Sequence, residues 1–113
     1  MSDRHQDLEI AAPPEAAREI VLEAVAELGW KCLEDEDGAL VVRESPRLLL
    51  GRWPVGIKVS IAGADAGGKR SALELWGRMG GFGPFIAEQL KERMEEFASR
   101  LQRQAAAYSA SSA

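Results

Sequence analysis

A chain of 113 residues, 46% hydrophobic and 28% charged, has the composition of one ordinary globular domain and is too short for two. Its formal net charge of -4 argues against strong nonspecific nucleic-acid binding, which rests on neutralising phosphates. The single cysteine, Cys32, excludes an intramolecular disulfide, and the longest aliphatic run, Leu48-Leu49-Leu50, falls far short of the roughly 20 residues of a membrane span.

The first fourteen residues are acidic and hold no apolar stretch of the secretory kind, so the expected compartment is the cytoplasm. Asp7-Leu8-Glu9-Ile10-Ala11 alternates polar and apolar side chains and predicts a half-buried strand. Pro13-Pro14 ends it and opens a helix over residues 15–28, where Ala17, Ile20, Val21, Ala24, Val25 and Leu28 recur at helical spacing. Gly29 stops that helix. Strands follow at 30–33 and 39–43, joined through an acidic turn that ends in Asp37-Gly38, a tight-hairpin signal. Residues 45–54 hold two prolines and read as a loop with room for strand extension. Val55, Ile57, Val59 and Ile61 then alternate with Gly56, Lys58 and Ser60 in the next strand. A glycine-rich turn leads to a last strand over 70–79, with Leu73, Leu75 and Met79 on one face and Ala72, Glu74, Trp76 and Arg78 on the other. Ile86, Leu90, Met94, Phe97 and Leu101 form one stripe of a long helix over residues 84–107, about 36 Å at 1.5 Å per residue. Residues 108–113 are small and polar, and the expectation is a disordered tail after a single domain at 1–107.

These elements define an α+β fold of order β-α-β4-α, in which two amphipathic helices cover one face of an antiparallel sheet. The strand, the helix 15–28, the four strands from Trp30 to Met79 and the long last helix resemble a single repeat of the TATA-box-binding-protein fold. With an insertion after the first helix, the same plan resembles the helix-grip family of START-like lipid carriers and plant pollen allergens. That likeness implies a small apolar or amphipathic ligand held between the sheet and the last helix. The chain lacks both the insertion that enlarges the helix-grip cavity and the tandem repeat that forms a DNA saddle.

No catalytic motif is complete. Gly63-Ala64-Asp65-Ala66-Gly67-Gly68-Lys69-Arg70 approaches a phosphate-binding loop, but Arg70 stands where Ser or Thr is needed, and strands flank it instead of a strand and a helix. Leu33, Asp35, Asp37, Gly38 and Glu44 fall at calcium-loop spacing, with Leu33 at the first ligand position and strands on both sides. His5 is the only histidine and is expected on a mobile terminus, while Cys32 reads as an inward-facing apolar residue. Neither a metal site, a cofactor nor an enzyme is therefore expected.

Three surface features remain as candidates. Leu50, Trp53, Phe82 and Phe85 sit in loops or at an element end, where large apolar side chains either cap the core or line a ligand mouth. Lys31, Arg43, Lys58, Trp76 and Arg78 fall on the sheet face away from the helices, with Glu74 the only acid placed among them. That face suits an anion, a protein partner, a second copy, or, as the weakest alternative, single-stranded nucleic acid. Glu19, Glu23 and Glu27 form an acidic ridge on the first helix that could meet this face in a neighbouring molecule. Gly80-Gly81-Phe82-Gly83-Pro84, read first as a turn into the last helix, leaves amides open to an anion near Arg78. A non-enzymatic binding module is the leading expectation, and an interaction or homo-oligomerisation domain the alternative.

Overall fold

The computed structural model describes residues 2–36, 39–44, 54–81 and 85–111. The elements are β1 (Ser2–Ile10), α1 (Pro14–Glu27), β2 (Lys31–Glu36), β3 (Ala39–Arg43), β4 (Val55–Gly63), β5 (Ser71–Met79) and α2 (Ile86–Ser111). The expected β-α-β4-α order is the observed one. The strands form one antiparallel sheet in the order β1-β5-β4-β3-β2, so the first strand closes against the last and the middle four form a meander.

Each helix follows from local chemistry. Pro14 occupies the first turn of α1, where its missing N–H costs nothing, and the Ala17 amide donates to the Pro13 carbonyl at 2.8 Å. At the other end Gly29 adopts φ +74°, a left-handed turn that glycine enters without Cβ strain. It lets the Trp30 amide reach back to the Val25 carbonyl at 2.9 Å. Ala17, Ile20, Val21, Ala24 and Val25 are buried, which are the positions the spacing predicts.

In α2 the stripe Leu90, Met94, Phe97 and Leu101 is buried, and Ala98 and Ala105 join it. The sequence ends this helix at residue 107, but it runs on to Ser111. Tyr108 explains the extra turn, because it is half-buried and packs against the core. The full helix of 26 residues spans about 39 Å. No helix among the described residues is long and apolar enough to cross a membrane.

The core lies between the sheet and the two helices. Val55, Ile57 and Val59 of β4, Leu73, Leu75 and Met79 of β5, and Leu40 and Val42 of β3 supply its sheet side. Trp30 and Phe97 meet with ring centroids 5.5 Å apart where β2 begins. Gly77 also faces inward, and a Cβ there would stand 2.3 Å from the Met94 sulfur. The glycine thus lets α2 settle onto β5 with Met94 filling the space. Ser71 is the buried polar exception on β5, and its hydroxyl donates to the Ala12 carbonyl at 2.6 Å.

β1 is longer than the sequence reading allowed. It starts at Ser2 and pairs without a shift from Ser2↔Met79 to Ile10↔Ser71. His5, expected on a mobile terminus, therefore stands in a strand, directly opposite Trp76. The alternation places Arg4, Gln6, Leu8 and Ile10 toward the helices and Asp3, His5, Asp7 and Glu9 toward the open face.

Candidate functional site

The motif-like segments resolve into structure. The residues from Gly63 to Arg70 join β4 to β5 as a hairpin, with the Asp65 carboxylate accepting from the Lys69 amide at 2.9 Å and the Arg70 amide at 3.3 Å. That carboxylate occupies the place where a phosphate would have to accept. The calcium-loop pattern spans the paired strands β2 and β3, not two helices; Asp37 and Gly38 lie outside the described residues. Leu33 is 55% exposed beside a bulge between Cys32 and Glu34. Glu44 is buried, and its carboxylate accepts from the Val55 amide at 3.4 Å. Cys32 packs against the core at one edge of the sheet, while His5 faces away from it at the other. Four strand spacings, about 19 Å, separate them, so they form no nucleophile–base pair.

The five residues assigned to the open face lie there together. Lys31, Arg43, Gly56, Arg78 and Asp3 form one row across all five strands. Lys58, Trp76 and His5 form part of the next. Because Gly56 carries no side chain between Arg43 and Arg78, a hollow of about 700 Å³ opens there, lined by Lys58, Trp76, Arg78, His5 and Asp3 among others. Trp76 is 49% exposed, and one face of its indole is stacked on His5 with centroids 3.9 Å apart.

The charge of this face differs from the sequence expectation. Glu74 is not its only acid: the extension of β1 adds Asp3, and the alternation along β1 puts Asp7 and Glu9 on the same face. Arg78 donates to Asp3 at 2.8 Å and Arg70 to Glu9 at 2.7 Å. Asp3 and Glu9 offset Arg78 and Arg70, and Lys31, Arg43 and Lys58 carry the basic character of the face. Arg78 is engaged with Asp3, and residues 82–84 of the glycine-rich turn lie outside the described residues. His5, Asp7 and Glu74 bring one ligand atom each within 4.8 Å of one another. All three are exposed, and His5 already contacts Asp7 at 3.1 Å; they are the described residues best placed to meet a divalent cation.

Of the apolar candidates, Leu50, Trp53 and Phe82 lie outside the described residues. Phe85 does not cap the core: it is 67% exposed in the turn that opens α2, its carbonyl accepting from the Gln89 amide at 2.9 Å. Sequence reasoning missed Arg4 and Gln6, which the register places on the helix-facing side of β1. The Arg4 Nε and the Gln6 Oε1 are both inaccessible to solvent and have no hydrogen-bond partner. Their signal was available as a period-two continuation upstream of Leu8, but two polar residues at inward positions hide it from a hydropathy reading.

No family model matches the chain, and no curated protein matches it in sequence. Among solved structures, a START superfamily protein from Mycobacterium smegmatis superposes with a TM-score of 0.68 at 12% identity, over 94% of this chain and 98% of that one. The protein XoxI from Bacillus cereus gives 0.54 at 12% identity, over 93% and 96%. Ara h 8.0201 gives 0.51 at 8% identity, over 94% and 98%. These likenesses establish the fold: an antiparallel sheet gripping a long C-terminal helix, as in START-like proteins.

Proposed function

We propose that this chain is a non-enzymatic module that takes a small apolar or amphipathic ligand between the sheet and the N-terminal part of α2. The observation that carries this reading is Phe85, whose ring is 67% exposed immediately before a helix whose stripe from Leu90 to Leu101 is buried. An exposed ring at the start of α2 is placed to meet the apolar body of a bound molecule, and burying it again would gain apolar contact. Met94 over Gly77 supports it, because an unbranched thioether can change rotamer and yield volume without moving backbone. The fold shared with a START superfamily protein adds support at the level of architecture. Titration with the neutral apolar fluorophore N-phenyl-1-naphthylamine tests the idea. Saturable one-to-one binding, weakened about tenfold in Phe85→Ser by loss of about 1.4 kcal/mol of apolar contact, is expected. Absence of saturable binding overturns it.

The open face supports a second reading, association with another copy of this chain. Asp3, Asp7 and Glu9 on β1 and the bases Lys31 and Arg43 at the start of β2 and the end of β3 give two patches of opposite sign that a twofold rotation can bring together, with Trp76 between them.

A further inference from the structure

Arg4 and Gln6 pose a problem that packing alone does not answer. Both lie on the helix-facing side of β1, and Arg4 is directly opposite Gly77, a pairing that puts the two Cα atoms about 4.5–5.5 Å apart. The Met94 sulfur occupies the space over Gly77, the strand position paired with Arg4. The Nε–H of Arg4 and the Oε1 of Gln6 are closed to water and unpartnered. A buried donor or acceptor left unmade costs about 1–3 kcal/mol, more where charge is involved. Other arginines show how such a group is ordinarily satisfied: Arg70, Arg78 and Arg100 each meet a carboxylate, Glu9, Asp3 and Glu27 in turn. Arg4 meets no carboxylate among the described residues, although Asp3 and Asp7 are near it in sequence, because strand alternation sends both to the opposite face.

The two orphaned groups differ in kind. The Arg4 Nε–H needs an acceptor, which a carboxylate can supply with one oxygen while its second oxygen faces a neighbouring Nη. The Gln6 oxygen needs a donor. Apolar atoms of Met94 and Leu90 lie over Gly77, the residue paired with Arg4. We infer that Arg4 and Gln6 form the polar end of the ligand site, and that the ligand is an amphipathic carboxylic acid. Its carboxylate pairs with Arg4, a hydroxyl near the carboxylate donates to Gln6, and its apolar body displaces Met94. This inference rests on the binding reading given above and adds the ligand's chemistry and orientation to it.

Binding of dodecanol, laurate and 3-hydroxylaurate to the full chain, measured by displacement of N-phenyl-1-naphthylamine at pH 8, tests it. The expected result is a preference for laurate over dodecanol of about 10- to 100-fold, the size of a charge-assisted hydrogen bond. The preference collapses in Arg4→Gln and is partly kept in Arg4→Lys, which retains the charge but loses the fork. 3-Hydroxylaurate should bind several-fold more tightly than laurate, an advantage that Gln6→Leu removes. Equal affinity of the wild type for laurate and dodecanol overturns the inference and leaves the apolar pocket standing; this comparison needs no variant to fold. A laurate preference that survives in Arg4→Gln overturns it as well. Failure of all three lipids and of the fluorophore overturns the pocket with it.

Discussion

A methyl group at Gly77 would have to occupy space that the Met94 sulfur already holds, 2.3 Å away, with a Leu90 methyl at 3.1 Å. Gly77→Ala should therefore destabilise the fold by about 1–3 kcal/mol, the ordinary cost of overpacking, read as a shift in urea midpoint. Because the obstacle is one flexible side chain, Gly77→Ala and Met94→Ala should be non-additive. The double variant is expected to be more stable than the sum of its parts by at least about 0.5 kcal/mol. Strict additivity would mean that the backbone of α2, not the thioether, resists the methyl. Ser71 offers a contrasting case at the other end of β5. Its hydroxyl serves the Ala12 carbonyl at 2.6 Å in a fully buried setting, so Ser71→Ala should cost about 1–3 kcal/mol by leaving that acceptor unmade.

At the scale of elements, α2 is held to the rest by two unlike attachments. Phe97 and Leu101 are completely buried, and Phe97 also meets Trp30. Glu27 at the end of α1 receives hydrogen bonds from both Arg100 and Gln104. Phe97→Ala should cost about 3–5 kcal/mol. Glu27→Gln should cost less than about 1 kcal/mol, because its ion pair is partly exposed and screened. Chemical denaturation of the two variants at low and high salt separates these attachments, since only the second should respond to salt. The apolar attachment was legible beforehand: the spacing of Leu90, Met94, Phe97 and Leu101 predicts the buried stripe. The end of α2 was not legible, because Tyr108 alone packs there among residues that look like a tail. The start of β1 was hidden for the opposite reason. Its extended conformation is imposed by β5, through pairing from Met79 to Ser71, while Asp3 through Asp7 carry no apolar alternation of their own. The candidate site suffers most from this, as Asp3, which pairs with Arg78, and the inward Arg4 and Gln6 all belong to that hidden segment.

For the molecule as a whole, the division of charge across the sheet governs how copies meet. Asp3, Asp7 and Glu9 line one edge, while Lys31 and Arg43 stand near the other. If the open faces join two copies, sedimentation should show dimers at low ionic strength that dissociate as salt rises past the point where the Debye length falls below about 10 Å. Reversing the pattern in one strip with Lys31→Glu and Arg43→Glu should abolish the dimer. A monomer at every concentration and salt would assign the face to solvent and leave the helix side as the working surface.

Met94 is wholly shielded from solvent beneath α2, and this gives the protein an internal chemical clock. Dilute peroxide converts an accessible thioether to its sulfoxide, but here the sulfur is reached only while the helix stands away from Gly77. The rate at which Met94 gains one oxygen, followed by mass spectrometry of the peptide that contains it, therefore reports the fraction of molecules in which the helix stands away. A bound molecule that props α2 open would quicken the reaction, whereas one that seals the gap would slow it.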